Sequence, residues 1–200
     1  MRVVRIAALF GLTCACMPPS WGAGALLHSA RRPVGPPPAL THRDVVFDSN
    51  GVALRGWLFP AAGASRGITV AYLHGSGDNR ASGVWIAEQL VRRSFDVLAY
   101  DSRAHGNSGA DACTYGYYER HDLQRALDAL GVRRAILLGV SLGGAVALQE
   151  APDDSRVAGV VAVASFSDLE SIARDRPRSS RAVARSARRS RSRSRRRTSA

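Results

Sequence analysis

Four apolar runs, each long enough for one β-strand and the first for a strand buried on both faces, decide most of what this chain can fold into. They are GITVAYLHG from Gly67, FDVLAYD from Phe95, RAILLGV from Arg134 and RVAGVVAVASF from Arg156. Between them the spacing changes to that of helices. Val84, Ala87, Leu90 and Val91 recur on one helical face, Leu123, Ala126, Leu127 and Leu130 on another, and SLGGAVALQE follows the third run. Buried strands separated by helices predict parallel crossovers and a layered α/β sheet. Upstream, RDVVFDSNGVALRGWLFPA predicts two short antiparallel strands, 43–48 and 52–59, turned at Asn50-Gly51.

Outside this pattern the chain changes character. Residues 1–25 carry Arg2 and Arg5, then an apolar run from Ile6 to Thr13 that is too short to span a bilayer. That is the layout of a secretory signal in a bacterial exported protein, either cleaved or lipidated at Cys14 or Cys16 so that it tethers the chain to a membrane. Removal of the signal would leave Cys113 as the remaining cysteine, so no disulfide framework is expected. Residues 26–42, rich in proline and arginine, read as an extended, solvated connector. The folded domain is expected over 43–170.

Charge is concentrated at the other end. Residues 1–170 hold 16 Arg against 15 acidic residues, whereas residues 171–200 hold 12 Arg against one Asp, so the net +12 belongs to a tail and not to a domain face. Arg- and Ser-rich residues 171–200 offer too little apolar surface to offset ordering, which predicts disorder. Such a tail could bind anionic lipid, polymer or nucleic acid, although an export signal argues against nucleic acid. The complete lack of lysine instead suits a shifted reading frame through GC-rich coding sequence.

The chemistry centres on Gly139-Val140-Ser141-Leu142-Gly143. In a G-x-S-x-G elbow the serine sits at a cramped turn between strand and helix, where flanking side chains do not fit. Gly63-Ala64-Ser65-Arg66-Gly67 has the same pattern. It lies in a polar loop and opens no helix, so Ser65 reads as a turn residue and Ser141 as the nucleophile. His74-Gly75-Ser76-Gly77 and Asp101–Gly109 end the two preceding strands, on the edge where α/β sheets bind ligands. There the amides of Ser76 and Leu142 could pair as an oxyanion hole.

Taken together these segments resemble the α/β-hydrolase superfamily, near its serine-aminopeptidase-like and esterase-like branches. Leu73-His74-Gly75 is similar to its oxyanion loop, Asp101–Gly109 to its D-x-R-G-H-G-x-S loop with Ala104 in place of a glycine, and Gly139–Gly143 to its elbow. The resemblance implies a three-layer sandwich around a mostly parallel sheet. It implies a serine hydrolase acting on an ester or amide of a small molecule, without cofactor or metal. It also makes His74, Gly75, Asp101, His105, Gly139 and Gly143 loop-forming residues rather than a base.

The family's triad order is Ser, then Asp or Glu, then His. No histidine follows Ser141 in these 200 residues, and Asp168 is the weak candidate acid, competing with a helix-capping role. The expectation is therefore an incomplete domain lacking its last strands, with little activity of its own. Oligomeric state has no signature in the sequence.

Overall fold

The computed structural model describes Gly24 and residues 27–166. The expected signal peptide, Asp168 and the Arg/Ser-rich tail fall outside those residues. The strands are β1 (Arg43–Ser49), β2 (Val52–Phe59), β3 (Thr69–Leu73), β4 (Asp96–Tyr100), β5 (Ala135–Val140) and β6 (Val157–Val163). The helices are α1 (Val84–Val91), preceded by a 3₁₀ turn at Arg80–Gly83, α2 (Glu119–Ala129) and α3 (Leu142–Glu150). These elements belong to one compact unit ending at Ser165; of the second, Phe166–Ala200, only Phe166 is among the described residues.

The six strands form one mixed sheet in the order β1-β2-β4-β3-β5-β6. β1, β2 and β4 pair antiparallel, while β4, β3, β5 and β6 run parallel. This is the expected mostly parallel α/β sheet, entered through an antiparallel hairpin. The hairpin turn is the one Asn-Gly predicts, with φ of 55° at Asn50 and 81° at Gly51. Asp48 braces it by accepting the Gly51 N–H at 3.1 Å.

Side chains alternate across a strand, so one face of the sheet receives Trp57, Phe59, Val70, Tyr72, Val97 and Ala99, which pack with Ala87 and Val91 of α1. The alternate set, including Ala71, Leu73, Leu98 and Tyr100, is fully buried on the other face. There α3 lies against β3, β5 and β6, and α2 packs on α3 and β1. Helices on both faces account for the apolar runs of β3, β4 and β5; the run of β6 stays largely exposed, Val161 and Val163 at 48% each. Every parallel strand therefore ends at the same edge, where β3, β4 and β5 release the three loops singled out above.

Most of the Pro/Arg-rich stretch is exposed, yet it is tied to the domain at several points: Val34 is buried in the α1-side core, and Asn79 Nδ2 donates to the carbonyls of Arg32 and Pro33 at 3.1 Å each. His42 packs edge-on against Trp57 at 5.5 Å. No helix among the described residues is long and apolar enough to cross a membrane.

Candidate functional site

At the end of β5 the chain reverses into α3 within one residue. Ser141 has φ 51° and ψ −109°, a combination that costs an L-residue about 1–3 kcal/mol and persists only where its surroundings enforce it. Those surroundings are visible. The Ser141 N–H donates to Val163 O of β6 at 2.8 Å, and its carbonyl accepts the Ala145 N–H at 3.1 Å, so the turn is clamped to a strand and a helix. The flanking glycines are required by close approach. A Cβ on Gly139 would land on the Gly143 and Gly144 backbone, and one on Gly143 would land on the Leu73 carbonyl.

That second contact ties the β5–α3 turn to the loop leaving β3. A Cβ on Gly75 would lie 3.6 Å from Ser141 Cβ. The peptide joining Gly75 to Ser76 is held through its oxygen, which accepts from His74 Nδ1 at 2.8 Å and from the Asp78 N–H at 3.2 Å. In a planar trans peptide the N–H points opposite to the C=O. His74 thus turns the Ser76 amide away from its own ring.

His74 can hold that bond because it stays neutral. Its Nε2 accepts the Ser102 N–H at 3.0 Å, leaving the proton on Nδ1 for Gly75. Burial holds its pKa down to about 4, assisted by neighbouring His105, against the upward pull of the Gly75 hydrogen bond. His105 stacks edge-on to it at 5.1 Å, bonds the Arg103 carbonyl through Nδ1 at 2.8 Å, and leaves Nε2 buried without a partner. Both rings bond backbone, and neither has the bonding of a base.

The loop leaving β4 is organised by a fully buried carboxylate. Asp101 accepts the Arg80 N–H (2.8 Å), the Arg80 guanidinium (2.6 Å) and the Asn107 N–H (2.8 Å), so it is committed to holding the loop and the 3₁₀ turn together. Gly106 crosses directly over it, leaving no room for a side chain. Arg103 forms a two-pronged pair with Asp122 of α2 at 2.6 and 2.7 Å and lies over the Tyr118 ring. Burial works against its charge, yet the Asp122 bonds outweigh burial and raise its pKa. Ala104, standing where the resembling loop has glycine, adopts φ 59° while buried.

Ser141, Gly75 and the Gly139–Gly143 turn therefore come together, with His74, Asp101 and His105 as supports beneath. Leu142 is buried at the first position of α3, where helix amides point outward. Cys113 is buried, and burial pushes its thiol up to about 12, too high to supply a thiolate at neutral pH. Among the described residues no group of His, Cys, Asp and Glu could hold a metal ion.

Arg80, Asn79, Ser108, Ser29 and Arg31 were not anticipated. Ser108 had a signal, as the last polar residue of the β4 loop: its hydroxyl donates to Asp101 O at 2.6 Å and accepts the Arg55 N–H at 3.0 Å. Ser29 and Arg31 had none, since their partners lie tens of residues away.

The family model for the alpha/beta hydrolase fold matches residues 68–198. Among curated proteins the chain is similar to quorum-quenching protein AidA of Acinetobacter baumannii, 27% identical over 134 residues, which are 62% of this chain and 44% of that protein. It is similar also to RutD of Cronobacter sakazakii, 38% identical over 94 residues, 45% of this chain and 33% of that protein. Among solved structures it resembles the Pyrococcus furiosus esterase Pf2001, with a TM-score of 0.63 and 27% identity over 70% of this chain and 57% of that one. The chain spans less than half the length of the curated relatives it matches.

Proposed function

Because the chain belongs to the α/β-hydrolase family, we propose that it carries the nucleophile and oxyanion halves of a serine-hydrolase site, with an ester as the favoured substrate and an amide as the second. The observation that carries this reading is the Ser141 backbone, strained at φ 51° and ψ −109° and locked beside Gly75 at the head of α3. Strain of that kind serves to present a side chain at the mouth of a sheet. The Ser141 hydroxyl attacks the carbonyl carbon. The amides of Ser76 and Leu142 receive the negative oxygen, collapse of the tetrahedral intermediate expels the alcohol or amine, which leaves with the hydroxyl proton, and water then hydrolyses acyl-Ser141 to release the acid and restore the serine. Esters are favoured because the structural relative Pf2001 is an esterase.

The hydroxyl proton needs a base, and His74 and His105 are engaged with backbone. With no histidine after Ser141, these 200 residues should turn over substrate slowly by themselves, relying on the oxyanion donors. We propose from the signal-like residues 1–25 that the protein is exported: periplasmic, secreted or membrane-tethered.

A fluorophosphonate probe tests the proposal: with no base engaged, Ser141 should react slowly, yet faster than the other serines of the chain because the oxyanion donors assist the attack. Labelling that maps to Ser141 and vanishes in Ser141→Ala supports it; an unlabelled folded chain sinks it. The second reading, a non-catalytic protein acting through its tail, is favoured by the 12 Arg in residues 171–200. Salt-sensitive binding to anionic vesicles, lost on removal of that tail, would mark it.

A further inference from the structure

The stretch Leu27–Val34 crosses the edge of the sheet on which the candidate site lies, and nearly every residue in it is tied down. The Leu27 carbonyl accepts the Cys113 N–H at 2.8 Å, and His28 Nδ1 bonds Asp111 O at 2.7 Å. Ser29 Oγ lies 2.9 Å from Ser76 Oγ. The Arg31 guanidinium gathers three carbonyls of one loop: Ser108 and Ala110 at 2.5 Å each and Gly106 at 3.4 Å. Arg32 and Pro33 take the Asn79 amide, Arg32 pairs with Asp78 at 3.2 Å, and Val34 enters the core.

The choice of partners separates this strap from a merely stabilising one. Of these residues only Val34 contributes a buried apolar side chain. The others meet the loop leaving β3, whose Gly75 lies beside Ser141, and the loop leaving β4, the next strand in the sheet. Carbonyl oxygens brought to one point repel each other unless a cation or donor stands among them, and the five N–H groups of a guanidinium fit that role. The loop carrying His105 is thereby held from outside by Arg31 while Asp101 holds it from within through the Asn107 N–H. Ser29 grips Ser76, whose amide is the proposed oxyanion donor, and Gly75, the residue before it, sits against Ser141.

We infer that Leu27–Val34 is part of the candidate site, with Ser29 and Arg31 acting as positioning residues for the Ser76 loop and the Gly106–Ala110 loop. The consequence for Ser141 chemistry rests on the serine-hydrolase reading; the holding of the loops does not.

The test uses the whole chain with Ser29→Ala, Ser29→Thr, Arg31→Gln and Arg31→Lys, followed by amide hydrogen exchange, thermal unfolding and the rate of fluorophosphonate labelling. Arg31→Gln should speed exchange over residues 104–113 about tenfold while β4 and β5 amides keep their rates, with Arg31→Lys in between. Ser29→Ala should slow labelling of Ser141 about fivefold with the unfolding midpoint unchanged, and Ser29→Thr, which keeps the hydroxyl, should restore it. Exchange over 104–113 within about twofold of the parent in Arg31→Gln overturns the strap's role. Labelling that is equally fast in Ser29→Ala, Ser29→Thr and the parent overturns the positioning of Ser76. If the parent chain itself does not label, the reading of Ser141 fails and the exchange measurement alone decides the strap.

Discussion

Two serines in this chain sit in the same five-residue pattern, and their surroundings could hardly differ more. Ser65 lies in an exposed loop, its hydroxyl donating to Asp96 Oδ2 at 2.5 Å and accepting the Gly67 N–H at 3.1 Å, and nothing would touch a Cβ on Gly63 or Gly67. Ser141 is clamped between β6 and α3, with glycines on either side that have backbone where a Cβ would go. In the first turn the hydroxyl serves the loop. In the second the fold serves the serine, holding it in a backbone conformation it would not choose.

The sharpest contrast is chemical. Ser141→Ala should abolish fluorophosphonate labelling and Ser65→Ala should leave it unchanged, read by mass spectrometry of the labelled peptide; equal labelling of both variants would break the distinction. Next comes packing. Gly143→Ala should cost about 3 kcal/mol or more, because the Leu73 carbonyl has to move and with it the end of β3. Gly63→Ala should stay within about 0.5 kcal/mol, both being measured by urea unfolding.

Acid should act on the Ser141 side through His74. Unfolded, the ring takes a proton near its ordinary 6.5; folded, it does so only near 4. Above 6.5 neither state is protonated and stability is unaffected. As pH falls toward 4 the unfolded state gains a proton the native state refuses, so stability should drop by about 2 kcal/mol between pH 7 and pH 5. His74→Gln should remove that portion of the slope, and unfolding curves at the two pH values check it.

The smallest effect concerns Ala104, which holds φ 59° where glycine would be at ease. Ala104→Gly should stabilise by up to about 1 kcal/mol, the steric cost of a left-handed alanine offset in part by glycine's freer unfolded chain. Calorimetry would show it as a small rise in unfolding temperature, and a fall would mean that the Ala104 methyl is worth more in packing than it costs in strain.

Much of this was readable along the chain because it depends on near neighbours. The Asn50-Gly51 turn, the alternation of strands and helices, and the strand-to-helix turn at Ser141 all follow from periodicity and from what flanks a glycine. The strap was not: proline and arginine next to a signal-like segment describe a connector equally well, and nothing local to Arg31 announces three carbonyls 75 to 79 residues away.

The sequence by itself determined the elements, their order, the α/β class and the serine set at the strand-to-helix turn, since these rest on side-chain period and backbone preference within a few residues. Only the tertiary structure decided that β4 enters between β2 and β3, that Asp101 is spent on Arg80 and Asn107, and that residues 27–34 bind the loops leaving β3 and β4. Those arrangements are pairings of donors with acceptors far apart in the chain, and a donor's identity does not say which distant oxygen the fold will bring to it.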